Sequence, residues 1–436
     1  MHVLIIGSGG REHALAWKIA QSPRVSKLSC APGNAGIGEI AELVSVPSTD
    51  IDGLLRFALE SKVDLTVVGP EGPLTEGIVD RFRRQGLKIF GPGKEAARLE
   101  GSKAFAKEFM RKYSIPTAEF RAFDSSERYD AERYINEVPV PIVIKADGLA
   151  SGKGVSVCET KEDALEVLDM MMGRKAFGDA GLKVVIEEFL DGEEASVFAV
   201  TDGVHAVMLS SAQDHKRIFD NDLGKNTGGM GAYAPAPVMT PELMKLVERT
   251  IIRPTIEGMK SEGHPYAGCL YVGLMITETG PKVIEYNCRF GDPETEVILP
   301  LLKGDLVELM LASVDGTMGT ASAEQHPLSA VCVVIASGGY PDRYETGKQI
   351  VGLPAAKATD ERVMIFHAGT AREKNALVTS GGRVLGVTAL GPELDIEQTI
   401  DRAYRAVEKI TFDGAYYRSD IGKKGVERLR QLRKEE

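Results

Sequence analysis

The sequence has no apolar run long enough to cross a membrane, since none approaches the roughly 18 residues that such a span needs. It also has no C-x-x-C motif: its 5 cysteines lie far apart and have no local histidine partner. We therefore expect reduced thiols in a cytosolic protein, and neither disulfides nor structural zinc. The first residues contain no basic region and read as a β-strand, not as a signal peptide.

Positively charged residues are fewer than negatively charged ones. Lys and Arg total 52 against 63 Asp and Glu, which gives a net charge of −11. This balance disfavours a general binder of nucleic acid or of anionic membranes. It leaves open a small phosphorylated substrate, which needs only a local cluster of donors. Glycine, with 47 residues, is more abundant than usual, and its short clusters predict places where the backbone approaches a ligand closely.

The apolar pattern predicts a multidomain α/β and α+β protein with three regions. Residues 1–101 alternate short apolar runs with helical patterns, which predicts a doubly wound α/β domain. Residues 102–325 form a second domain, in which about 123–184 make a smaller unit with a glycine-rich hairpin. Residues 326–436 read mainly as antiparallel strands, then a helix and a polar C-terminus, which predicts a β-rich domain. A polar, glycine-rich loop of the second domain, roughly 212–237, is either functional or disordered.

The first glycine cluster, Gly7-Ser8-Gly9-Gly10-Arg11-Glu12-His13, follows the first predicted strand. It nearly matches a dinucleotide-binding fingerprint, but Glu12 stands where the third glycine belongs. The second strand ends without an acid to hold a ribose hydroxyl. These two departures disfavour an NAD-dependent enzyme. The cluster either offers helix N-terminal amides to an anion or is a plain tight turn.

The second glycine cluster lies between two predicted strands, from Lys145 to Val155. It is not a phosphate-binding loop of the Walker A kind, because Lys153 is followed by Gly154 and not by Ser or Thr. A glycine-rich hairpin with a lysine at its tip can fold over a triphosphate. The alternative interpretation is a mobile surface hairpin.

The stretch Glu285-Tyr286-Asn287-Cys288-Arg289 is the most informative. Strand alternation places Glu285, Asn287 and Arg289 on one face, which cannot be a hydrophobic core. Carboxylate and amide oxygens suit Mg²⁺, which usually also takes phosphate oxygens, and a guanidinium stabilises a transferring phosphoryl group. A solvated edge strand with a salt bridge is the alternative.

Together these motifs resemble the ATP-grasp ligases and, among them, the phosphoribosylamine–glycine ligase family. The resemblance covers essentially the whole chain and rests on GSGGREHA, PGNAG, KADGLASGKGV, QDHKR, NTGGMGAY and EYNCRFGDPETE, in the family's order. It implies a pre-ATP-grasp domain, an ATP-grasp domain with a flap, and a C-terminal domain.

The reaction that the resemblance implies belongs to de novo purine (IMP) biosynthesis. ATP phosphorylates the carboxylate of glycine, with Mg²⁺ or Mn²⁺ as the metal. The amine of 5-phosphoribosylamine then attacks the acyl phosphate and gives glycinamide ribonucleotide. The expected partners are these small molecules, with no nucleic acid and no membrane, in a cytoplasmic protein for which a monomer is the working expectation.

The resemblance also implies site residues. The ATP-binding residues would be Lys103, Lys145, Gly148, Ser151, Gly152, Lys153, Gly154, Glu187, Leu190 and Glu194. The metal ligands would be Glu285 and Asn287, and the strand before them, Tyr271 to Leu274, lacks the second acid found in many ATP-grasp enzymes. The glycine and acyl-phosphate site would comprise Asp214, Lys216 and Arg289. The pocket for the sugar amine would comprise Gly10, Arg11, Asn34, Glu71, Asp292 and Arg383.

Two alternatives stay open at this stage. The first is another ATP-grasp carboxylate–amine ligase of purine synthesis, such as one that joins bicarbonate to aminoimidazole ribonucleotide. The loop Gln213–Tyr233 discriminates, because only a glycine-using enzyme should need it. The second is a nucleotide sensor or scaffold that binds ATP without turnover, and the intact Lys145, Glu285, Asn287 and Arg289 argue against it.

Overall fold

The structure is a computed structural model that describes residues 1–148, 154–174, 181–393 and 395–435. In those residues it shows three domains of mixed α and β structure, arranged around one large cleft. None of the helices in the described part of the chain has the length and apolar character needed to cross a membrane.

The N-terminal domain is built on a parallel sheet. Its elements are β1 (His2–Gly7), α1 (Gly10–Ile19), β2 (Lys27–Pro32), β3 (Glu42–Leu43), α2 (Ile51–Glu60), β4 (Leu65–Val68), α3 (Glu71–Thr75), α4 (Ile78–Arg84) and β5 (Ile89–Phe90). The strand order β3-β2-β1-β4-β5 confirms the doubly wound prediction. Leu4 and Ile6 of β1 pack into one core, and Val3 and Ile5 pack into another, so both faces of the sheet are buried.

A second, antiparallel sheet follows two connecting helices, α5 (Arg98–Gly101) and α6 (Lys103–Lys112). Its elements are β6 (Phe120–Asp124), α7 (Arg128–Glu137), β7 (Ile142–Ala146), β8 (Val155–Cys158), α8 (Lys161–Leu168) and β9 (Lys183–Glu188), with strand order β6-β9-β7-β8. Ser102 begins α6, because its hydroxyl accepts a hydrogen bond from the amide of Phe105 at 3.1 Å. The predicted flap hairpin is β7–β8; its residues 149–153 lie outside the described part of the chain.

The remainder of the central region is built on long antiparallel strands. Its elements are β10 (Glu193–Asp202), β11 (Ala206–Met208), β12 (Gln213–Asp214), β13 (Arg217–Phe219), β14 (Leu223–Asn226), β15 (Gly231–Ala234), α9 (Pro241–Val247), α10 (Arg253–Ser261), β16 (Ala267–Thr277), β17 (Gly280–Asn287), α11 (Thr295–Leu301), β18 (Leu302–Lys303), α12 (Leu306–Asp315) and β19 (Glu324–Gln325). The sheet order β11-β10-β16-β17 places the end of β17 beside β16.

The C-terminal domain is rich in β-structure, as the sequence predicts. Its elements are β20 (Leu328–Ser337), α13 (Leu353–Lys357), β21 (Val363–His367), β22 (Thr370–Glu373), β23 (Ala376–Thr379), β24 (Arg383–Pro392), α14 (Ile396–Val407), β25 (Ala415–Tyr416) and α15 (Lys423–Glu435). Its main sheet has the order β12-β15-β20-β24-β21. This sheet therefore includes two strands from the segment 212–237.

Two local expectations differ from the structure. The segment 212–237, predicted as a loop, contains the four short strands β12 to β15. β12 pairs with β15, β13 pairs with β14, and β15 also pairs with β20 of the C-terminal sheet. The polar C-terminus is the helix α15. Its few apolar residues gave a weak periodic signal, but Val426 and Leu429 pack against the C-terminal core.

Candidate active site

A cavity of about 1300 Å³ lies between the three domains. Most of the residues that the sequence analysis assigned to a site line this one cavity, although they come from distant parts of the chain. These residues are Arg11, Glu71, Lys103, Lys145, Gly154, Glu187, Leu190, Glu194, Asp214, Lys216, Glu285, Asn287, Arg289, Asp292 and Arg383.

Three other candidates are described but do not line the cavity. A side chain at Gly10 would have its Cβ 2.3 Å from Glu296 Oε1, so this position leaves room for backbone only. The Asn34 amide donates to the carbonyls of Ser8, at 2.9 Å, and His367, at 2.7 Å. Gly148 accepts a hydrogen bond from Lys103 Nζ at 2.9 Å. The candidates Ser151, Gly152 and Lys153 lie outside the described residues.

A buried carboxylate holds two lysines at one end of the cavity. Glu187 Oε2 lies 3.0 Å from Lys145 Nζ and 2.9 Å from Lys107 Nζ. Burial lowers the pKa of Lys107 to about 8, although Glu187 opposes this shift. Glu187 Oε1 is buried and has no hydrogen-bond partner among the described residues. An unpaired buried oxygen of this kind is a site for a donor on a ligand.

The sequence analysis missed Lys107. It lies on α6 four residues after Lys103, so both lysines share one helix face. Its Nζ also donates to Thr117 Oγ1 at 2.7 Å, and its side chain is 2% exposed. The signal in the sequence was therefore the four-residue spacing between Lys107 and Lys103, which was already a candidate phosphate-binding residue.

The end of β17 projects polar groups into the middle of the cavity. Glu285 and Asn287 are alternate residues of the strand, as predicted, whereas Arg289 lies two residues beyond the end of the strand. Arg289 pairs with Glu71 at 3.3 Å and with Glu100 at 3.0 Å, and its Nη2 donates to Asn287 Oδ1 at 3.1 Å. Burial opposes the charge on Arg289, but these carboxylates outweigh it and raise the pKa of its guanidinium. Glu100, which the sequence analysis missed, is one of them.

Glu285 is ionised in this setting. Burial disfavours its charged form, but Lys216, Lys145, Lys103 and Arg289 outweigh burial and hold the pKa of Glu285 below its ordinary value. Glu285 repels phosphate oxygens, so a phosphate binds beside it only where the surrounding cations, or a further cation between the two anions, offset that repulsion. The charges at the end of β17 are compatible with a nucleotide and a metal ion.

The donors at the end of β17 fit a hard divalent cation. Glu285 offers a carboxylate and Asn287 an amide oxygen, which are ligands that Mg²⁺ accepts together with phosphate and water. In the described ranges, no group of three or more His, Cys, Asp or Glu residues is arranged to hold a metal by itself. The second acid found in many ATP-grasp enzymes is absent from β16, where the residue opposite Glu285 is Gly273.

Asp214 and Lys216 line the same cavity as β17 and also share a small pocket with Glu285. Lys216 Nζ is 3.0 Å from Asp214 Oδ2 and 4.0 Å from Glu194 Oε2. Burial opposes its charge, but Asp214, Tyr271 and Glu194 outweigh burial and place the pKa of Lys216 well above its usual range. The acids around Lys216 thus favour its charged form.

A further carboxylate in this region escaped the sequence analysis. Glu294 Oε1 accepts hydrogen bonds from the Tyr271 hydroxyl at 2.6 Å and from Ser196 Oγ at 3.3 Å. Burial, together with the charge of Asp214, raises the pKa of Glu294. Glu294 follows the turn Gly291-Asp292-Pro293, and the available signal was that three acids, Asp292, Glu294 and Glu296, alternate along the sequence there.

A third side of the cavity is formed by Arg11, Asp292 and Arg383, which come from the three different domains. Arg383 Nη1, at the start of β24, lies 3.0 Å from Asp292 Oδ1 and donates to the carbonyls of Asp292, at 2.8 Å, and Gly228, at 2.7 Å. Arg11, from the N-terminal domain, donates through Nη1 to the carbonyl of Phe290 at 3.2 Å. Two guanidinium groups therefore flank the same turn, residues 290–292.

The C-terminal helix α15 also borders the cavity, which the sequence did not predict. Its lining residues are Lys424, Glu427, Arg428 and Gln431. They recur every three or four residues and so share one helix face. Arg428 Nε lies 3.6 Å from Glu193 Oε1 at the start of β10.

Comparisons with known proteins give a consistent result. Residues 1–100, 101–295 and 330–424 match the N, ATP-grasp (A) and C domain models of phosphoribosylglycinamide synthetase. A phosphoribosylamine–glycine ligase from Chlorobaculum tepidum is 53% identical over 98% of this chain and 100% of its own length. The crystal structure of a phosphoribosylamine–glycine ligase from Thermotoga maritima is 38% identical, with a TM-score of 0.83 over 97% of this chain and 100% of that one.

A more distant likeness concerns the fold alone. The structure of N5-carboxyaminoimidazole ribonucleotide synthetase from Thermotoga maritima has a TM-score of 0.63 at 19% identity, over 94% of this chain and 99% of that one. The shared architecture confirms the prediction of a three-domain ATP-grasp fold.

Proposed function

The chain belongs to the phosphoribosylglycinamide synthetase family, a family of ATP-dependent ligases that form a C–N bond, and on this premise we propose how its cleft performs the reaction. The substrates are glycine, 5-phosphoribosylamine and ATP, and the product is glycinamide ribonucleotide, an intermediate of purine biosynthesis. Family membership decides between the two ligases considered above in favour of the glycine-using one.

The free carboxylate of glycine resists attack by an amine, so it must first be activated. Its oxygen attacks the terminal phosphorus of ATP, ADP leaves, and a glycyl phosphate forms. Lys103 and Lys145 are placed to neutralise the phosphates of ATP, and Arg289 to stabilise charge on the transferring phosphoryl group. The single observation that carries this proposal is that Lys145 Nζ donates to the carbonyl of Ile284, at 3.1 Å, next to Glu285 in β17.

Glu285 and Asn287 would hold the metal, which we propose to be Mg²⁺ or Mn²⁺. When bound, a divalent cation draws electron density from phosphate oxygens and orients them. The residues of this chain supply hard oxygen ligands and hold them still: Arg289 donates to the Asn287 amide oxygen, which fixes the orientation of that side chain.

Glycine is proposed to bind between β17 and the segment that carries Asp214 and Lys216. Its carboxylate would face the cations Lys216 and Arg289, and its ammonium would face the acids near Asp214. Asp214 also keeps Lys216 in place, since their charged atoms are 3.0 Å apart.

The sugar amine is proposed to bind at the third side of the cavity. Arg11 and Arg383 offer charge to its phosphate, and Glu71 and the backbone at Gly10 and Asn34 shape the pocket. The amine nitrogen attacks the acyl carbon, phosphate leaves, and a proton passes from the nitrogen to a base. Asp292 is the proposed acceptor of that proton.

An acyl phosphate hydrolyses in water, so the cleft has to exclude solvent during the reaction. The flap, Asp147 to Val155, stays the proposed cover, with Gly148 and Gly154 at its ends and Ser151, Gly152 and Lys153 between them. Glu187, Leu190 and Glu194 are the proposed contacts for the adenine and ribose of ATP, and the unpaired Glu187 Oε1 supports a ligand at that end.

We also propose a cytoplasmic location and a monomeric working state. All 5 cysteines are buried free thiols, which suits a reducing compartment. All three sides of the cavity come from one chain, so no second copy is needed to complete it.

The experiment that tests the function measures ADP release by the purified protein. It requires glycine, Mg²⁺ and 5-phosphoribosylamine made in the assay from ribose 5-phosphate and ammonia. We expect ADP release to depend on both glycine and the sugar amine. Turnover that is supported by bicarbonate and not by glycine would contradict the proposal.

A further inference from the structure

Lys216 follows the point where β12 leaves the C-terminal sheet, and its carbonyl accepts hydrogen bonds from the amide and the hydroxyl of Thr227, at 2.7 and 2.8 Å. Lys216 lies between β12 and β13, and β13 pairs only with β14 in the described part of the chain. Phe219 and Leu223 of this hairpin are exposed by 52% and 61%, and Ile218 is buried in a small apolar cluster with residues outside the hairpin. A two-stranded hairpin by itself is marginally stable. The hairpin after Lys216 therefore depends on contacts with other parts of the molecule.

The residues on both sides of Lys216 are held by the segment 418–422. Arg418 Nη1 donates to the carbonyl of Arg217 at 3.0 Å. The amide of Gly422 donates to His215 Nε2 at 3.4 Å. This C-terminal segment contacts the residues on both sides of Lys216, and together with the bonds from Thr227 to the Lys216 carbonyl it helps to set the direction in which the Lys216 side chain leaves the backbone.

Arg418 is the centre of this contact. Its side chain is fully buried, and both oxygens of Asp420 accept hydrogen bonds from it at 2.7 Å. Asp222, at the turn of the hairpin, accepts a third at 3.0 Å. A bidentate carboxylate fixes the plane of a guanidinium, so the bond to the Arg217 carbonyl has a defined direction.

The surrounding contacts join the same two segments. The amide of Ser419 donates to Asp220 Oδ1 at 2.9 Å, and the amide of Asn221 donates to Asp420 Oδ2 at 2.8 Å. Lys424, at the start of α15, forms an ion pair with Asp222. The hairpin 217–226 is thus attached to the C-terminal segment at several points.

The imidazole of His215 is neutral in this arrangement. Burial and the charges of Arg418 and Lys424 lower the pKa of His215 to about 4. Its Nδ1 faces the carbonyl of Gly231 at 3.4 Å, so Nδ1 carries the proton and Nε2 is free to accept from Gly422. The protonation state of His215 therefore allows its Nε2 to accept the hydrogen bond from the Gly422 amide.

We propose that Arg418 is a positioning residue for glycine activation: it holds the backbone beside Lys216 so that the Lys216 ammonium stays in the cleft next to Asp214. Arg418 does not line the cavity and touches no substrate; it acts through Lys216. This inference rests on the proposed function, because it assigns Lys216 to the glycine and acyl-phosphate site.

The test compares Arg418→Met and Arg418→Lys with Arg405→Met, a control in which an exposed arginine of the neighbouring helix α14 is removed. Thermal unfolding first establishes which variants fold. Arg418→Lys keeps the buried positive charge, but one ammonium cannot reach Asp420, Asp222 and the Arg217 carbonyl together, so this variant carries the test if Arg418→Met does not fold. The readouts are kcat/KM for glycine and the dissociation constant of ATP.

We expect kcat/KM for glycine to fall by about ten-fold or more in the folded Arg418 variants, the size of a lost charged hydrogen bond. ATP affinity should stay within about three-fold of wild type. In a third variant, Arg418→Ala, added guanidinium should partly restore glycine use, because it can occupy the space that the arginine side chain leaves. A parallel loss of ATP affinity, or unchanged glycine kinetics, would overturn the inference. Wild-type protein without glycine-dependent ADP release would instead overturn the proposed function, so the two failures are distinct.

Discussion

Lys145 and Glu187 form a buried ion pair, 3.0 Å apart, in which the same carboxylate oxygen also binds Lys107. Two cations on one oxygen leave excess positive charge at this end of the cleft. That excess suits a triphosphate, because Glu187 cannot neutralise both lysines. We therefore infer that Lys107 does more than pack. It shares the negative charge of Glu187, so the Lys145 ammonium is neutralised less and can attract a phosphate more strongly.

The first prediction follows from this pair. In Lys107→Met, Glu187 retains only Lys145, so the positive charge available to ATP falls. We expect KM for ATP to rise by about ten-fold, with KM for glycine changed much less. Steady-state kinetics measure both, with Lys112→Met as the control, since Lys112 is exposed on the same helix. Equal increases in the two KM values would argue against this role.

The second prediction concerns the proposed metal ligand. Glu285→Ala should reduce Mg²⁺-dependent ADP release by about a hundred-fold or more, because the strongest ligand is lost. Circular dichroism should show an unchanged fold. The matched control is Glu278→Ala, an exposed acid at the turn between β16 and β17. Near-normal turnover by the Glu285 variant would falsify the metal assignment.

The third prediction separates the two halves of the reaction. Asp292→Asn keeps the shape of the side chain but cannot accept a proton from the sugar amine. Transfer of the glycyl group to the amine should fall by about a hundred-fold, a typical contribution of a general base, while ATP binding is retained. Titration with ATP and product analysis measure the two effects. The exposed Asp401→Asn is the control, and equal loss of binding and transfer would count against Asp292 as the base.

The fourth prediction concerns acid. Burial lowers the pKa of His13 to about 3 and the pKa values of His215 and His367 to about 4. These groups bind protons more readily in the unfolded chain, whose histidines titrate near pH 6.5, so stability is lost as the pH falls from 6.5 towards 4. We expect Tm to drop by about 5 °C or more between pH 7 and pH 5.

A variant pair checks the origin of this acid sensitivity. His13 Nδ1 accepts the amide of His367 at 2.7 Å, a bond between the N- and C-terminal domains. Asn can accept the same bond without titrating, so His13→Asn should have a smaller drop in Tm between these pH values. His264→Asn, at an exposed position, should behave like wild type. Identical drops in all three proteins would place the acid sensitivity elsewhere.

Much of the fold could be predicted because its signals are local. The strands β1, β2 and β4 are continuous apolar runs separated by helical patterns, and a parallel sheet buried on both faces produces that pattern. Glu12 also disfavoured a dinucleotide site in the sequence. In the structure its carboxylate fills the space that a side chain at Gly7 or Gly69 would need. That carboxylate instead accepts the amide of Gly9 at 2.6 Å and the Arg11 guanidinium.

The parts that escaped prediction depend on contacts between distant residues. Glu100 and Lys107 lie on helices whose patterns do not show which face meets the cleft. The role of α15 depends on the fold of the whole C-terminal domain, which brings Arg428 to Glu193. Likewise, β12 and β15 are too short to stand out, and they become strands by pairing with each other and with β20.

The proposed mechanism depends on the activation of the glycine carboxylate as an acyl phosphate, a mixed anhydride, and oxygen labelling can show whether this intermediate forms. Glycine with ¹⁸O in its carboxylate is turned over with ATP and the sugar amine, and the released inorganic phosphate is analysed by mass spectrometry. If glycyl phosphate forms, each phosphate carries one labelled oxygen, because the bond that breaks lies between the carbonyl carbon and that oxygen. Phosphate without the label, formed while glycinamide ribonucleotide accumulates, would show that glycyl phosphate is not the intermediate.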